Sequence, residues 1–327
     1  MLGLGGAKNF TYTRYDNWQV KRASGMRVRT RKLALTEGVI AGVFFGTAAI
    51  FIRFLQNVDA FSIAFWRLII ACLALAMIVI VLGKSFHLNL VRRNLKDLFI
   101  LSFFLSLHFI FFISAVKDTT ILNATVLVNT TPIFSMFVSS FVFKLKPSRL
   151  AILGLTISFI GVGVIAYTET ITTNANALVG GFSPSIKGDL EAVLAALVES
   201  FYLNYGRKIR KQMTILSTMF PIYMLTALIV GVLSIPATNK ILTLPTEAAI
   251  ILPLIGLGIL PTAIAHTLYF SSLSNLKSFE TATMALLEPV GATFLGMIIF
   301  KEIPQYLFIF GATLILLGII FIIKERS

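Results

Sequence analysis

The sequence predicts an all-α integral membrane protein in which ten transmembrane helices form two five-helix inverted repeats. Three observations lead to this fold class: the composition is strongly apolar, the apolar residues form ten long runs, and the second half of the chain repeats the first. Of the 327 residues, 57% are hydrophobic and only 13% are charged, against about 25% charged residues in a typical soluble protein. A soluble globule of this length could not bury so much apolar surface.

Ten apolar runs approach the roughly 20 residues that a helix needs to cross a bilayer. Span 6 is the least apolar of them, because it carries Glu191 and Glu199. Numbered in chain order, spans 1 to 10 are predicted at Leu33–Phe54, Phe61–Leu82, Leu98–Val116, Ile121–Phe143, Leu150–Tyr167, Asp189–Tyr205, Ile215–Ser234, Ala248–Leu273, Phe279–Phe300 and Pro304–Ile323.

The positive charges predict the orientation of these spans. The connections that follow even-numbered spans, together with the two chain ends, hold 22 of the 28 Lys and Arg residues. The connections that follow odd-numbered spans hold five, and Arg67 lies inside span 2. Cytoplasmic loops carry the excess of Lys and Arg, so both termini are predicted to be cytoplasmic in a multi-pass plasma-membrane protein. The same clustering explains the net charge of +14 without a nucleic-acid partner.

Composition divides the chain into five predicted segments. Residues 1–32 are basic and lack an apolar run, so they are predicted to be a disordered cytoplasmic tail. Residues 33–167 form the first repeat and residues 188–323 the second, each with five spans. Residues 168–187, rich in Thr, Asn and Gly, are predicted to be an external linker. Residues 324–327 are the predicted cytoplasmic C-terminus.

A shift of 157 residues superimposes the two halves. The matching pairs are Pro132 and Pro289, Phe143-Lys144 and Phe300-Lys301, Pro147 and Pro304, Gly154 and Gly311, Thr156 and Thr313, and Gly161 and Gly318; a slip of one residue adds His108 and His266. Because each half has an odd number of spans, the second half must enter the membrane inverted relative to the first. Inverted repeats recur in secondary transporters, which bind substrate at the repeat interface.

Short motifs in spans 1, 2, 9 and 10 carry a family resemblance. They are Gly46-Thr47 through Arg53, Phe65-Trp66-Arg67, Leu287-Glu288-Pro289-Val290, Phe300-Lys301-Glu302, and Gly311-Ala312-Thr313-Leu314-Ile315-Leu316-Leu317-Gly318. In these motifs the chain resembles the EamA type of the drug/metabolite transporter superfamily. One position departs from the family, because Leu145 stands where an acidic residue often follows span 4. The resemblance implies transport of amino acids, other metabolites or drugs, commonly outward.

Polar residues inside the spans are the candidates for a substrate cavity, since an intramembrane charge must face a cavity or a partner. The candidates are Glu199, Tyr202, Glu288, His108, His266, Asn129, Thr131 and Tyr269. Glu288 has a second interpretation, in which it hydrates a helix kink at Pro289, and the two histidines have one as satisfied interior residues. Arg67 is predicted to be mainly structural and paired with a carboxylate, with Glu288 as a candidate partner.

The function predicted from these features is secondary-active export of small organic metabolites by alternating access. A passive facilitator or channel and a non-transporting membrane scaffold are the alternatives. No catalytic grouping, Walker A loop, metal-binding spacing or cofactor motif is recognisable, so an enzyme is not predicted. Transport against a gradient would then require an ion, and Glu199 is the first candidate for a proton carrier, because an apolar helix disfavours an ionised carboxylate. The substrate and the oligomeric state are left open.

Overall fold

The computed structural model describes residues 30–81, 86–144, 147–175, 185–238, 245, 247–292 and 306–324. Every regular element within these ranges is helical. Seven of the helices are long and apolar enough to cross a membrane. The chain is therefore an all-α, multi-pass membrane protein, as its composition predicts.

In the first half, eight helices cover spans 1 to 5 and a short connection between spans 2 and 3. They are α1 (Arg31–Phe45), α2 (Ala48–Arg53), α3 (Ala60–Val81), α4 (Leu88–Arg93), α5 (Leu95–Asp118), α6 (Ile121–Val128) and α7 (Thr131–Phe141), followed by α8 (Arg149–Ala175) as span 5. Spans 1 and 4 are each made of two helices, α1 with α2 and α6 with α7.

In the second half, span 8 and span 9 are divided in the same way. The elements are α9 (Ile186–Arg210), α10 (Ile215–Thr238), α11 (Ala248–Leu257), a π-helical segment (Gly258–His266), α12 (Thr267–Ser272), α13 (Ser278–Met284), a 3₁₀ turn (Ala285–Leu287), α14 (residues 288–292) and α15 (Tyr306–Lys324). Helices α9 and α10 are spans 6 and 7, and α15 is span 10.

Several helix boundaries differ from the sequence prediction, most clearly in spans 5 and 6. The helix of span 5 continues beyond Tyr167 to Ala175, so the first part of the predicted linker is helical. Span 6 is longer than predicted at both ends, because Ser185 caps its first turn and its polar residues are buried against other helices rather than exposed to lipid. The described part of span 9 ends at residue 292, and residues 1–29 of the predicted tail lie outside the described residues.

The inverted repeat is visible in the packing of span 5 against span 10. A Cβ added to Gly154 would lie 2.5 Å from the carbonyl oxygen of Gly318, and one added to Gly161 would lie 2.6 Å from that of Gly311. Gly154 corresponds to Gly311 and Gly161 to Gly318 in the two halves, so each contact is the other one with the repeats exchanged. This is the self-complementary pattern of a two-fold interface.

The two-fold axis passes between Ser158 and Ile315. The Ser158 hydroxyl donates to the carbonyl oxygen of Ile315 at 3.4 Å, and these two positions are themselves 157 residues apart. The pair thus maps onto itself when the halves are exchanged. The shift found in the sequence and the axis in the structure agree, which confirms the repeat.

Span 1 packs closely on span 9 through its glycine stripe. A Cβ added to Gly46 would lie 2.7 Å from the carbonyl oxygen of Glu288, and the space beside Gly42 is filled by the backbone of Met284. Small residues allow helices in a membrane to approach in this way. The contact fixes the position of Glu288 relative to span 1.

The topology can be tested with reporter fusions after Asn174 and after Lys211. We expect an external report from the first and a cytoplasmic report from the second, because the excess of Lys and Arg marks the cytoplasmic side. Enzyme reporters active on only one side of the membrane measure this directly. The same side for both fusions would contradict a single crossing by span 6.

Candidate functional site

Four spans are interrupted near the middle of the protein. Span 1 breaks at Gly46–Thr47, span 4 at Asn129–Thr130, span 8 in the π-helical segment, and span 9 at the 3₁₀ turn. The breaks in spans 4 and 9 precede Pro132 and Pro289, which are equivalent in the repeat. Interruptions at corresponding positions of the two halves point to the binding site of a secondary transporter.

Pro132 explains the break in span 4 and the position of Thr131. Proline has no N–H, so the carbonyl of Val128, four residues earlier, loses its helical donor. The Thr131 hydroxyl donates to that carbonyl at 2.8 Å instead. Hydroxyl side chains commonly satisfy backbone groups that proline frees within a membrane helix. Thr131 is therefore held at the break with its oxygen facing span 6.

A threonine next to a proline also satisfies a free carbonyl in the π-helical segment of span 8. Pro261 leaves the carbonyl of Leu257 without its usual donor, and the Thr262 hydroxyl donates to it at 2.6 Å. The oxygen of Thr262 in turn accepts from Nε of Arg67 at 2.9 Å. The widened turn ends at His266, which places this histidine inside the protein. π-helical segments are frequent at functional sites.

The interrupted helices surround a cavity. Seven spans contribute to its wall, four from the first repeat and three from the second. The lining residues are Phe45, Ala48, Arg67, His108, Phe112, Val128, Asn129, Thr131, Glu199, His266, Ala285 and Glu288.

Six of the eight predicted cavity residues lie together around this space. They are Glu199, Glu288, His108, His266, Asn129 and Thr131. Tyr202 and Tyr269 do not line it. The Tyr202 hydroxyl points to Sδ of Met219 in span 7, at 3.8 Å, because the residue three positions after Glu199 is rotated away from the cavity by about 60°. Tyr269 is fully buried behind His266 and packs edge-on against Phe45.

Glu199 is held by groups from two other spans. Its Oε2 lies 3.5 Å from Nδ1 of His108 and 3.4 Å from the hydroxyl of Thr131. His108 Nδ1 also lies 3.1 Å from the carbonyl oxygen of Ala195. Because a carbonyl only accepts, this contact requires the hydrogen to be on Nδ1. A carboxyl group and an imidazole are thus in contact within a buried part of the cavity.

Glu288 lies on the other repeat's side of the same cavity. Its Oε2 accepts from Nδ2 of Asn129 at 3.2 Å, and Asn129 also donates to the carbonyl of Thr125 at 2.8 Å. Only 6% of Glu288 is exposed. The kink interpretation and the cavity interpretation of this residue are compatible, because it stands beside Pro289 and lines the cavity as well.

The two equivalent histidines meet at the cavity. The ring centroids of His108 and His266 are 6.0 Å apart, and the rings are edge to face. His266 is enclosed by the rings of Phe45 and Phe109 at 4.8 Å and 4.9 Å. Its Nδ1 is buried and has no hydrogen-bond partner among the described residues, so it can serve a bound molecule or water.

Arg67 has a different environment from the predicted one. Among the described residues it forms no ion pair with Glu288 or any other carboxylate. Its guanidinium instead stacks over the ring of Phe109, 4.2 Å from the centroid, and donates to Thr262. Thr262 is available because Pro261 reshapes span 8, which the sequence of span 2 does not reveal. Nη1 of Arg67 is buried and has no hydrogen-bond partner within the described ranges, although the residue lines the cavity.

The apolar part of the wall is not among the residues predicted from the sequence. Its five members are Phe45, Ala48, Phe112, Val128 and Ala285. Phe45 and Ala48 flank Gly46–Thr47, and Val128 and Ala285 stand four residues before Pro132 and Pro289. Proximity to a helix break was therefore the available signal, whereas apolar character alone does not distinguish cavity lining from lipid contact.

Comparison with known proteins gives a consistent result. A family model described as the EamA-like transporter family matches residues 33–167 and 186–324. The chain is similar to two proteins of Bacillus subtilis (strain 168), the "Uncharacterized transporter YxxF", 23% identical over 91% of this chain and 92% of that protein, and the "Uncharacterized transporter YdfC", 27% identical over 90% and 92%. An "Uncharacterized transporter" of Archaeoglobus fulgidus is 26% identical over 88% and 94%. One crystal structure superimposes with a TM-score of 0.71 at 18% identity, over 89% of this chain and 96% of that one, which supports the fold alone.

Proposed function

The chain belongs to the EamA-like transporter family, and we propose that this membrane transporter is secondary-active, exporting small organic metabolites by alternating access. The observation that carries the proposal is the charged cavity between the repeats, formed where interrupted helices of both halves meet. Alternating access requires such a site, reached by rocking one part of each repeat against the other. The outward direction rests on the family resemblance.

The charges of the cavity favour a substrate that carries both an acidic and a basic group, such as an amino acid. The unpartnered Nη1 of Arg67 can donate to a substrate carboxylate, and Arg is suited to carboxylates by its planar arrangement of donors. Glu288 has one carboxylate oxygen bonded to Asn129 and can accept from a substrate ammonium. Phe45 and Phe112 offer apolar surface to a side chain.

We also propose that a proton drives the transport and that Glu199 carries it. Glu199 is buried, contacts His108, and has no Lys or Arg partner among the described residues. Desolvation makes the charge state of such a carboxyl sensitive to whether the cavity holds water, substrate or neither. The proton could pass between Glu199 and the histidine pair as the cavity changes sides.

The test is a flux assay in proteoliposomes, with labelled amino acids and with matched solutes that lack either the carboxylate or the amine. We expect a pH gradient to drive accumulation of the zwitterions. Arg67→Gln should lower their uptake about ten- to hundredfold, since it removes a charged hydrogen bond, while Arg149→Gln, an exposed arginine at the start of α8, should leave uptake unchanged.

Each other outcome contradicts a defined part of the proposal. Equilibration of solute without accumulation would indicate a passive facilitator. Absence of flux for every solute tested would contradict transport by this chain alone. Equal uptake by wild type and Arg67→Gln would remove Arg67 from substrate recognition and leave it as a structural residue.

A further inference from the structure

A buried ion pair joins the beginnings of span 1 and span 9. Nη2 of Arg31 lies 2.6 Å from Oε1 of Glu280, whose side chain is 1% exposed. The other oxygen, Oε2, accepts from the backbone N–H of Lys277 at 2.5 Å and closes the first turn of α13. Arg31 also reaches the carbonyl of Ile323 in span 10 at 3.5 Å. We call the pair of Arg31 and Glu280 the Glu280 latch.

A second polar cluster joins the beginnings of span 6 and span 4. Nδ2 of Asn123 donates to Oδ1 and Oδ2 of Asp189 at 3.1 Å and 3.3 Å, and the Thr119 hydroxyl donates to Oδ1 at 2.9 Å. The Thr120 side chain accepts from the backbone N–H of Asn123 at 3.1 Å and caps α6. We call the cluster of Asp189, Asn123 and Thr119 the Asp189 latch.

The two latches are equivalent in the repeat. The shift of 157 places Asn123 on Glu280 and Thr120 on Lys277, and it places the position of Asp189 within one residue of Arg31. Each latch therefore joins the first span of one repeat to the fourth span of the other. This correspondence is independent of the cavity, because no latch residue lines it.

The latches lie at opposite ends of the cavity. Lys117, near the end of span 3, donates to the carbonyl of Gln56 at 2.7 Å, so spans 1 and 3 end on the same side. Thr119, after span 3, contacts Asp189 at the start of span 6, so span 6 begins where span 1 ends. Asn123 and Glu280 each precede the first cavity-lining residue of their span, Val128 and Ala285, by five positions, about 7.5 Å along a helix.

We propose that the two latches are the alternating gates of the transporter, and that both are formed in the present structure. Opening the cavity to one side requires the first span of one repeat to separate from the fourth span of the other, which breaks one latch and leaves the other intact. In the predicted topology the Glu280 latch closes the cytoplasmic mouth and the Asp189 latch the external one. This inference rests on the proposed alternating access.

The experiment measures access to the cavity rather than flux. Cys72, the single cysteine of the chain, is replaced by serine, and Ala48→Cys places a thiol in the cavity wall. A membrane-impermeant maleimide is then applied to intact cells and to inverted vesicles. We expect Glu280→Gln to raise labelling from the cytoplasmic side about tenfold and to lower labelling from the external side. Weakening the cytoplasmic latch stabilises the state that is open to the cytoplasm relative to the state that is open to the outside. Asp189→Asn should do the reverse.

Matched variants guard against a general loss of structure. Lys187→Gln breaks an exposed ion pair with Asp118 at 2.6 Å, which joins spans 6 and 3 at the same edge, and it should not change labelling from either side. Arg31→Gln breaks the Glu280 latch from its more exposed end and should match Glu280→Gln. Asn123→Lys would give the Asp189 latch an ion pair like that of its counterpart and should reduce external labelling severalfold.

Labelling that is unchanged by the latch variants, or raised equally from both sides, would contradict the proposal that the two latches are gates. The result is separate from the flux assay. Shifted labelling without flux would contradict the proposed transport of the tested solutes and keep the gates, whereas normal flux with unshifted labelling would contradict the gates alone.

Discussion

Glu199→Gln should abolish accumulation driven by a pH gradient while leaving exchange of substrate across the membrane largely intact. Glutamine keeps the size of the side chain and can still hydrogen-bond with Thr131, 3.4 Å away, but it cannot take up or release a proton. Coupled uptake should fall at least tenfold, to the level set by equilibration. Counterflow of labelled substrate against unlabelled substrate, at equal pH on both sides, measures the exchange that should persist.

The matched control lies in the same helix. Glu191 is two turns earlier, contacts Lys187 at 3.7 Å and does not line the cavity, so Glu191→Gln should keep pH-driven accumulation. Accumulation that survives in Glu199→Gln would remove Glu199 from the coupling mechanism. Glu288→Gln would then be the next variant to examine, because Glu288 is the other carboxyl of the cavity.

Gly161→Leu should prevent stable folding through the contact between span 5 and span 10. Even a Cβ at this position would stand 2.6 Å from the carbonyl oxygen of Gly311 and 2.9 Å from the backbone nitrogen of Ile315. Backbone atoms in a helix cannot move aside alone, so the two spans would have to separate. Overpacking of this kind typically costs about 1–3 kcal/mol and occasionally more. Gly161→Ala should therefore lower the melting temperature in detergent, and Gly161→Leu should remove the peak of the folded protein from size-exclusion profiles.

Gly163 provides a control of the same residue type in the same span. A Cβ on Gly163 would meet nothing within 4 Å, and alanine is favoured over glycine in a helix by about 1 kcal/mol. Gly163→Ala is thus expected to leave the melting temperature unchanged or to raise it slightly. Equal destabilisation by Gly161→Ala and Gly163→Ala would indicate that close approach of the spans is not the cause.

The sequence predicted the parts of the fold that depend on one segment or on a regular spacing. The length of an apolar run is enough to indicate a membrane helix. The repeat of 157 residues is recognisable because positions such as Gly154 and Gly311 face a backbone that leaves no room for a side chain and therefore require glycine. Most of the polar residues that line the cavity were found in the same way, since a charge within an apolar run must have a special environment.

What the sequence could not reveal depends on contacts between distant segments. The partner of Arg67 is a hydroxyl in span 8, and its position results from a proline in that span. Tyr202 is three residues after Glu199, which leaves the two side chains about 60° apart around the helix axis. This offset is enough to direct the Tyr202 ring toward span 7 and away from the cavity. The Glu280 latch joins residues 249 positions apart, a pairing that no local pattern predicts.

The position of the two-fold axis between Ser158 and Ile315 has a consequence for how the protein can be altered. In an inverted repeat, the outward-facing arrangement is the inward-facing one with the conformations of the halves exchanged. A contact that maps onto itself under this exchange has the same geometry in both arrangements, so a substitution there changes their free energies equally. Substitutions at this contact should therefore shift thermal stability without shifting the balance between the two facings, whereas substitutions away from the axis can bias that balance. Folding stability and the preferred facing are in this sense adjustable through separate residues.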